Sequence, residues 1–356
     1  MPIPSDCFSV VVHHRTAVAG RLPALTDYVA RSAPVVPLSR HPAWLNVLQA
    51  ALGHEPYAVE AVNPDGRTVG FLPLAFLDTL LFGKFLVSLP YLNSNGVLAD
   101  SAKVARGLVT RAVALADEFD ARHLELRHEA EVPHDALTQS LTTKVHMRLP
   151  LPADEEKLWK GFDPKVRNQV RKGEKPGFVV RWGGGELLPA FHDVLSRNMR
   201  DLGSPVYGPA LFREVLLTFP ADAELCVVFD GPRPVASALL LHGRGVTEVP
   251  TASSLKEYNP TSVNMLMYWH LLRRAVARRQ QVFDFGRSTT DGNTFRFKKQ
   301  WGAVPHPAVW QYYLRRGTVG ELRPDNPRFR LAIRLWKKLP LAVTRWLGPL
   351  VVRGIP

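Results

Sequence analysis

Cysteine is nearly missing from this sequence. Cys7 and Cys226 are the only two in 356 residues, too few and too far apart for a disulfide framework or a cysteine-based zinc site. A reducing compartment fits. The histidines show no metal-ligand spacing, so no bound metal is expected. No stretch reaches the ~18 apolar residues of a spanning helix. The opening MPIPSDCFSVVVHHRT lacks a basic segment followed by an apolar run, which makes the cytoplasm the expected location. Acidic residues are also short, 32 against 45 Lys and Arg, for a formal charge of +13 and a pI near 10.0. Such a balance predicts attraction to phosphates, nucleic acid or an anionic membrane face without choosing among them.

What is present is enough chain for two domains. Residues from about Phe8 to Gly20 read as a first strand, and SRHPAWLNVLQAALGH places Trp44, Leu45, Leu48 and Leu52 at helical spacing. PYAVEAVNPDGRTVGFLPLAFLDT reads as a hairpin turning at Asn63 to Gly66. A helix from about Ala102 to Phe119 and the strand HLELRHE close the first half. The second half repeats this order at an offset of roughly 160 positions. LCVVFDGPRPVASALLLHG answers the hairpin, TEVPTASS answers VSLPYLNS, the helix from about Ser262 to Arg279 answers the helix from Ala102, and QVFDFGRS answers HLELRHE. Two copies of one α/β unit follow, each with a partly antiparallel, mixed sheet and helices on both faces. The expected division is 1–150 and 151–317, with a basic amphipathic tail at 318–356.

Several stretches carry candidate binding residues. Val282 to Gly302, VFDFGRSTTDGNTFRFKKQWG, reads as strand, polar turn and second strand; Phe295 and Phe297 then face a core while Arg296, Lys298 and Gln300 share the other side. A site for an anionic or carbonyl-bearing ligand and a solvated basic edge strand fit that pattern equally. Tyr91, Asn93 and Asn95 fall on one alternating face of VSLPYLNSNGVLAD, unless Asn-type turns make it a polar loop. Asp163 and Pro164 mark a helix start, and Gly177 follows its stop. Arg167, Arg171 and Lys175 form a stripe on that helix, with Val166 and Val170 facing the other way; anion binding and a solvated face are both open. Tyr207 lies in a Gly/Pro-punctuated loop, LGSPVYGPALF, after a helix from about Leu188 to Leu202. In the tail, Arg330, Arg334 and Lys337 or Lys338 share a face, with Phe329, Ile333, Trp336 and Leu339 around much of the rest. That pattern suits a membrane interface or a helix docked on the protein's own core.

The phrases FDPKVRNQVRKGEKPG, LGSPVY, LKEYNPTSVNMLMYW, FDFGRSTTDGNTFRFKKQWGA and LWKKLPLAVTRWLGPLVVR resemble the FemAB-like proteins associated with bacterial exosortase (PEP-CTERM) and exopolysaccharide loci. The resemblance covers nearly the whole chain, and the second half is also similar to the BioF2-like acetyltransferase group. It implies two acyltransferase-type (GNAT) folds in tandem. It also implies transfer of an acyl or aminoacyl group from an activated ester or thioester to an amine, with acyl-CoA or aminoacyl-tRNA as the donor and no tightly bound cofactor.

By the same resemblance, Phe297, Lys298, Trp301 and Gly302 match the motif in which a Fem lysine stabilises charge on the donor, and Lys298 becomes the expected catalytic residue. Arg287 and Ser288 are expected to hold a phosphate or carboxylate, and Asn264, near a helix start, a phosphate. His270, Glu248 and Asp284 are the candidates for a general base. SLKEYNPTS stands where an acyl-CoA-binding GNAT carries its glycine-rich phosphate loop, and no tRNA-contacting helical arm is evident. The expected acceptor is an anionic or lipid-linked glycan precursor of the cell envelope, met at the cytoplasmic face of the inner membrane; tRNA is a candidate partner and DNA is not. A non-catalytic tandem scaffold that binds such a precursor is the alternative.

Overall fold

A computed structural model describes residues 7–80, 82–318 and 330–355. The chain forms two compact units. The first comprises the described residues within Met1–Lys144, Pro307–Leu322 and Arg353–Pro356, and the second those within Val145–His306 and Arg323–Val352. Both units are discontinuous in sequence, so they differ from a division at 150 and 317.

The first unit begins with β1 (Ser9–His14), α1 (Thr16–Arg31) and α2 (Trp44–Leu52). The first strand stops at His14, short of the expected Gly20, because Val18, Leu25 and Val29 recur at helical spacing and bury one face of α1. Arg21 ties that helix to the sheet by gripping the fully buried Glu60 carboxylate with two hydrogen bonds of 2.6 and 2.9 Å. Then follow β2 (Glu55–Val62), β3 (Thr68–Thr79), β4 (Gly83–Val87), β5 (Leu98–Ala99), α3 (Ala102–Glu118) and β6 (His123–His128). The pairs β1–β2, β2–β3 and β3–β4 are antiparallel, whereas β4 and β6 run parallel.

The second unit continues from β7 (Gln139–Pro150), whose last residues belong to it, through α4 (Glu155–Gly161), α5 (Pro164–Glu174), β8 (Val179–Gly183), α6 (Leu188–Leu202) and α7 (Pro209–Thr218). Helix α7 takes up the end of the expected loop LGSPVYGPALF, with Pro209 at its first turn where a missing N–H costs nothing. Next come β9 (Ala223–Asp230), β10 (Arg233–His242), β11 (Val246–Ser254), α8 (Val263–Ala277), β12 (Val282–Thr289) and α9 (Asn293–Lys299). Its strand order is β7-β12-β11-β10-β9-β8. Again the hairpin partners are antiparallel, and the β11–β12 pair, joined across α8, is parallel. The internal repeat thus reaches strand direction. Strand β13 (Val304–Leu314) runs into the first unit, where it pairs antiparallel with β6, and α10 (Arg330–Trp336) and α11 (Leu341–Val352) return to the second.

Both helices of the tail pack on the second unit. Arg345 donates to Ser196 Oγ at 2.8 Å and pairs with Asp193 on α6, and Thr344, Gly348 and Val352 are the buried stripe of α11. Phe329, expected on the tail's apolar face, lies outside the described residues.

Within the second unit α5 lies against the start of α8 because Gly173 has no side chain. A Cβ there would stand 2.9 Å from both Leu266 Cβ and the Ser262 carbonyl oxygen. Gly173→Ala is therefore expected to cost about 1–3 kcal/mol by overpacking, read from urea unfolding. Gly161→Ala on α4, where nothing lies within 4 Å of the added methyl, is expected to be neutral or to stabilise by up to about 1 kcal/mol.

Candidate active site

In the second unit the parallel ladder couples Val246 with Val282, Thr247 with Phe283 and Glu248 with Asp284. Beyond that register β11 stays on β10 as far as Ser254, while β12 runs on to Thr289. The fork opens above Glu248 and Asp284. Gly286 sits two residues past the fork with φ +77°, a left-handed conformation that favours glycine. Its N–H donates to Asp284 Oδ1 at 2.7 Å, and Arg148 on β7 donates to Asp284 Oδ2 at 2.9 Å. Asp284 thereby clamps a kinked strand.

The kink presents two carbonyls to Lys298. Its Nζ donates to the Gly286 oxygen at 3.0 Å and the Arg287 oxygen at 3.1 Å, which uses two of its three protons and leaves one N–H for a ligand oxygen. The side chain is only 7% exposed. Burial pushes the ammonium's pKa down to about 8; Asp284 opposes that fall and Arg287 adds to it.

Lys298 does not stand on the strand expected from the sequence. Residues 293–299 form helix α9: Asp291 is left-handed at φ 60°, Gly292 N–H bonds to the Thr289 carbonyl at 3.1 Å, and Arg296 N–H bonds to Gly292 O at 3.0 Å. The alternation of Phe295 and Phe297 is therefore not a strand face. Phe295 and Lys298, three apart, share the buried side, and Arg296 turns out to hold the Asp291 carbonyl. The helix wins because the DGN turn supplies its start, and Phe295 joins the core of the second unit while Phe297 packs on its edge against Tyr268.

The first unit has the same fork, built differently. Its parallel register ends at Val87 and Glu125, and the residue two further along β6 is Arg127 where the second unit has Gly286. Arg127 donates to Glu125 Oε1 and to the Leu92 carbonyl, each at 2.7 Å, and its guanidinium lies 4.1 Å from the Trp310 ring centroid. At 3% exposure it fills the space.

Other expected site residues fall into two groups. Ser288 follows Arg287, whose carbonyl accepts from Lys298, and Trp301 lies three residues past Lys298; Ser288 Oγ and Trp301 Nε1 are buried with no hydrogen-bond partner among the described residues, a costly state that a ligand oxygen would relieve. Asn264 is in the first turn of α8, beside Met265, whose sulfur accepts from Gln300 at 3.7 Å. Arg167 and Arg171 are on α5, the helix packed on α8; Arg171 extends over Trp159 with 5.6 Å to its ring centroid. Tyr207 lies on the α6–α7 connection, where its carbonyl accepts from His192 at 2.9 Å.

Tyr91, Asn93 and Asn95 belong to the first unit and do not form an alternating face. Leu89 and Tyr91 have φ of 50° and 72°, so the segment turns. Tyr91 hydroxyl bonds to His54 and to the Arg353 carbonyl, Asn93 O accepts from Trp310 Nε1, and the buried Asn95 amide donates to Ser39 O. Among the base candidates, Asp284 is committed to its two bonds, and burial, then Arg273, lowers the His270 pKa. Glu248 is half-buried at the base of the fork. Sequence reasoning missed Arg148 and the role of Gly286; the signal was the contrast between ELR and DFG at matching places in the repeat.

Residues 162–299 match the family described as acetyltransferase (GNAT) domain. No curated protein matches the chain by sequence. Among solved structures it is similar to FemX, at 16% identity and TM-score 0.62 over 85% of this chain and 97% of that one. It is also similar to a tandem GNAT protein from the clavulanic acid biosynthesis pathway, at 12% identity and TM-score 0.56 over 87% and 100%. L-PGS from Bacillus licheniformis matches at 14% identity and TM-score 0.54 over 94% and 96%. The fold is a tandem of GNAT-like units, and the matched domain lies in the second.

Arg127→Ala removes the guanidinium bonded to the buried Glu125 carboxylate. It is expected to cost about 3–5 kcal/mol, as for half of a buried ion pair, measured by urea unfolding.

Proposed function

We propose that the chain is an N-acyltransferase or aminoacyltransferase whose reaction takes place in the second unit's fork. The observation that carries this reading is the buried Lys298 ammonium, fixed by two strand carbonyls beside an open fork. Attack of an amine on a thioester or ester carbonyl places negative charge on oxygen, and a pre-positioned cation stabilises that charge without reorganising. Lys298 is the catalytic cation, and Trp301 Nε1 and Ser288 Oγ are donors for further substrate oxygens. Glu248 would take the proton lost by the attacking amine.

Acyl-CoA and aminoacyl-tRNA are the donor classes. The start of α8 at Asn264 and the Arg287 side chain would receive a donor phosphate or carboxylate. Arg167 and Arg171 would hold an anionic group of the acceptor, an amine-bearing, lipid-linked precursor of the cell envelope or an exopolysaccharide. Tyr207 would be a wall of the second unit's site. FemX and L-PGS share the fold. The first unit, with Arg127 across its fork, serves support and binding and not transfer.

Lys298→Ala is expected to lower kcat/KM by two to three orders of magnitude, about 2.7–4 kcal/mol, with an unchanged circular dichroism spectrum. A folded variant with full activity removes Lys298 from the mechanism. Because the ammonium's pKa is lowered to about 8, the cation is present below that pH and lost above it. The wild-type rate should fall as pH rises through about 8, and the variant's residual rate should lack that limb. For stability the sign is opposite: the folded state gives up this proton first, so the lysine's contribution improves from about pH 8 towards its ordinary 10.5.

Thermal shift against acyl-CoA thioesters and charged tRNA would name the donor, whereas a shift with nucleotide-linked sugars alone would favour the scaffold alternative. Arg167→Glu with Arg171→Glu should raise the acceptor KM by about tenfold or more while moving the melting point little; equal losses would make the stripe structural.

A further inference from the structure

The exposed apolar side chains of the second unit are unevenly placed. Leu331 and Leu335 on α10 and Trp346 and Leu350 on α11 are each more than half exposed, Trp346 the most at 71%. In both helices the two are four apart and so share a face. Leu202, at the end of α6, is also more than half exposed, and its neighbour Gly203 is the residue against which Ile333 and Lys337 pack.

This apolar surface is fixed in place. On α11 the opposite face is docked by Arg345 on Asp193 and Ser196, and Gly348 lies so close to Val206 that a Cβ would stand 2.9 Å from its backbone. On α10, Ile333 and Trp336 are turned partly inward while Arg334 is exposed, as are Lys337 and Lys338 just after the helix. Residues 330–355 contain six Lys and Arg and no Asp or Glu. Two helices that each have one side held by the protein and the other carrying Leu, Trp or cations have the chemistry of an interfacial membrane element: apolar side chains enter the headgroup boundary and the cations meet anionic lipid. Single-stranded RNA would call for stacked aromatics, and Trp346 is the only aromatic among the large exposed apolar residues here.

We infer that the outer face of α10 and α11 docks on an anionic lipid bilayer, lying in its surface and not crossing it. The inference fits a lipid-linked acceptor, but its test reads lipid binding and not transfer, so either can fail alone. The full chain is to be sedimented with phosphatidylcholine vesicles with and without phosphatidylglycerol as a minority lipid. Binding to the anionic vesicles, weakened by salt, is expected. The double variant Trp346→Ser, Leu350→Ser and the double variant Arg334→Glu, Lys338→Glu should each lower the partition coefficient by roughly tenfold or more, with unchanged melting points.

Trp346→Phe should also remove a part of the fluorescence quenching by brominated lipid. No sedimentation with anionic vesicles overturns the inference, as does equal binding by wild type and both double variants. A concentration-dependent dimer, or RNA binding, lost in the Trp346, Leu350 variant without any lipid binding would assign the face to that partner instead.

Discussion

A buried ammonium needs oxygen atoms around it, and that need organises the second unit. Lys298 is almost sealed from water, and its charge is supported there by the Gly286 and Arg287 carbonyls that accept from it and by the nearby Asp284 carboxylate. Those carbonyls turn because Gly286 accepts a left-handed φ, and that turn is held by the Asp284 carboxylate, itself held by Arg148. Each contact depends on the one before. A strand that paired straight through Gly286 would present its carbonyls to a neighbour and leave the lysine without acceptors.

Duplication makes the logic visible because one chain contains both solutions to the same geometry. Where parallel strands separate, their inner backbone groups and the space between them must be satisfied. The first unit does so internally, with Arg127 reaching from Glu125 to the Leu92 carbonyl under Trp310. The second leaves a glycine there and sets a cation at the edge. One fork is closed by its own side chain, and the unit with the other has two buried donors, on Ser288 and Trp301, unpaired among the described residues.

The order of elements was legible because it rests on local signals. Hydrophobic spacing identified α2, turn residues identified the β2–β3 hairpin, and Asp163 with Pro164 marked the start of α5, where the Asp163 side chain does accept from Lys165 N–H. Local signals failed where a short stretch serves either conformation. FRFKKQ alternates like a strand and also spaces Phe295 and Lys298 like a helix, and only the turn before it and the core beside it decide. Near the N-terminus, VVVHHRTAVAG reads as a continuous strand until α1 finds a sheet to bury Val18 and Leu25.

By itself the sequence determined the α/β class and the repeat, which follow from composition, period and local pattern and need no distant partner; Lys298 was singled out only by the family resemblance of its motif. Tertiary structure alone decided that Lys298 is buried on a helix and bonded to a kinked strand, that Arg127 closes the first fork, and that α11 is pinned through Arg345 with Trp346 left outside. The physical reason is that burial, pKa and hydrogen-bond partners are set by residues far apart in the chain, and no local pattern encodes which of them meet.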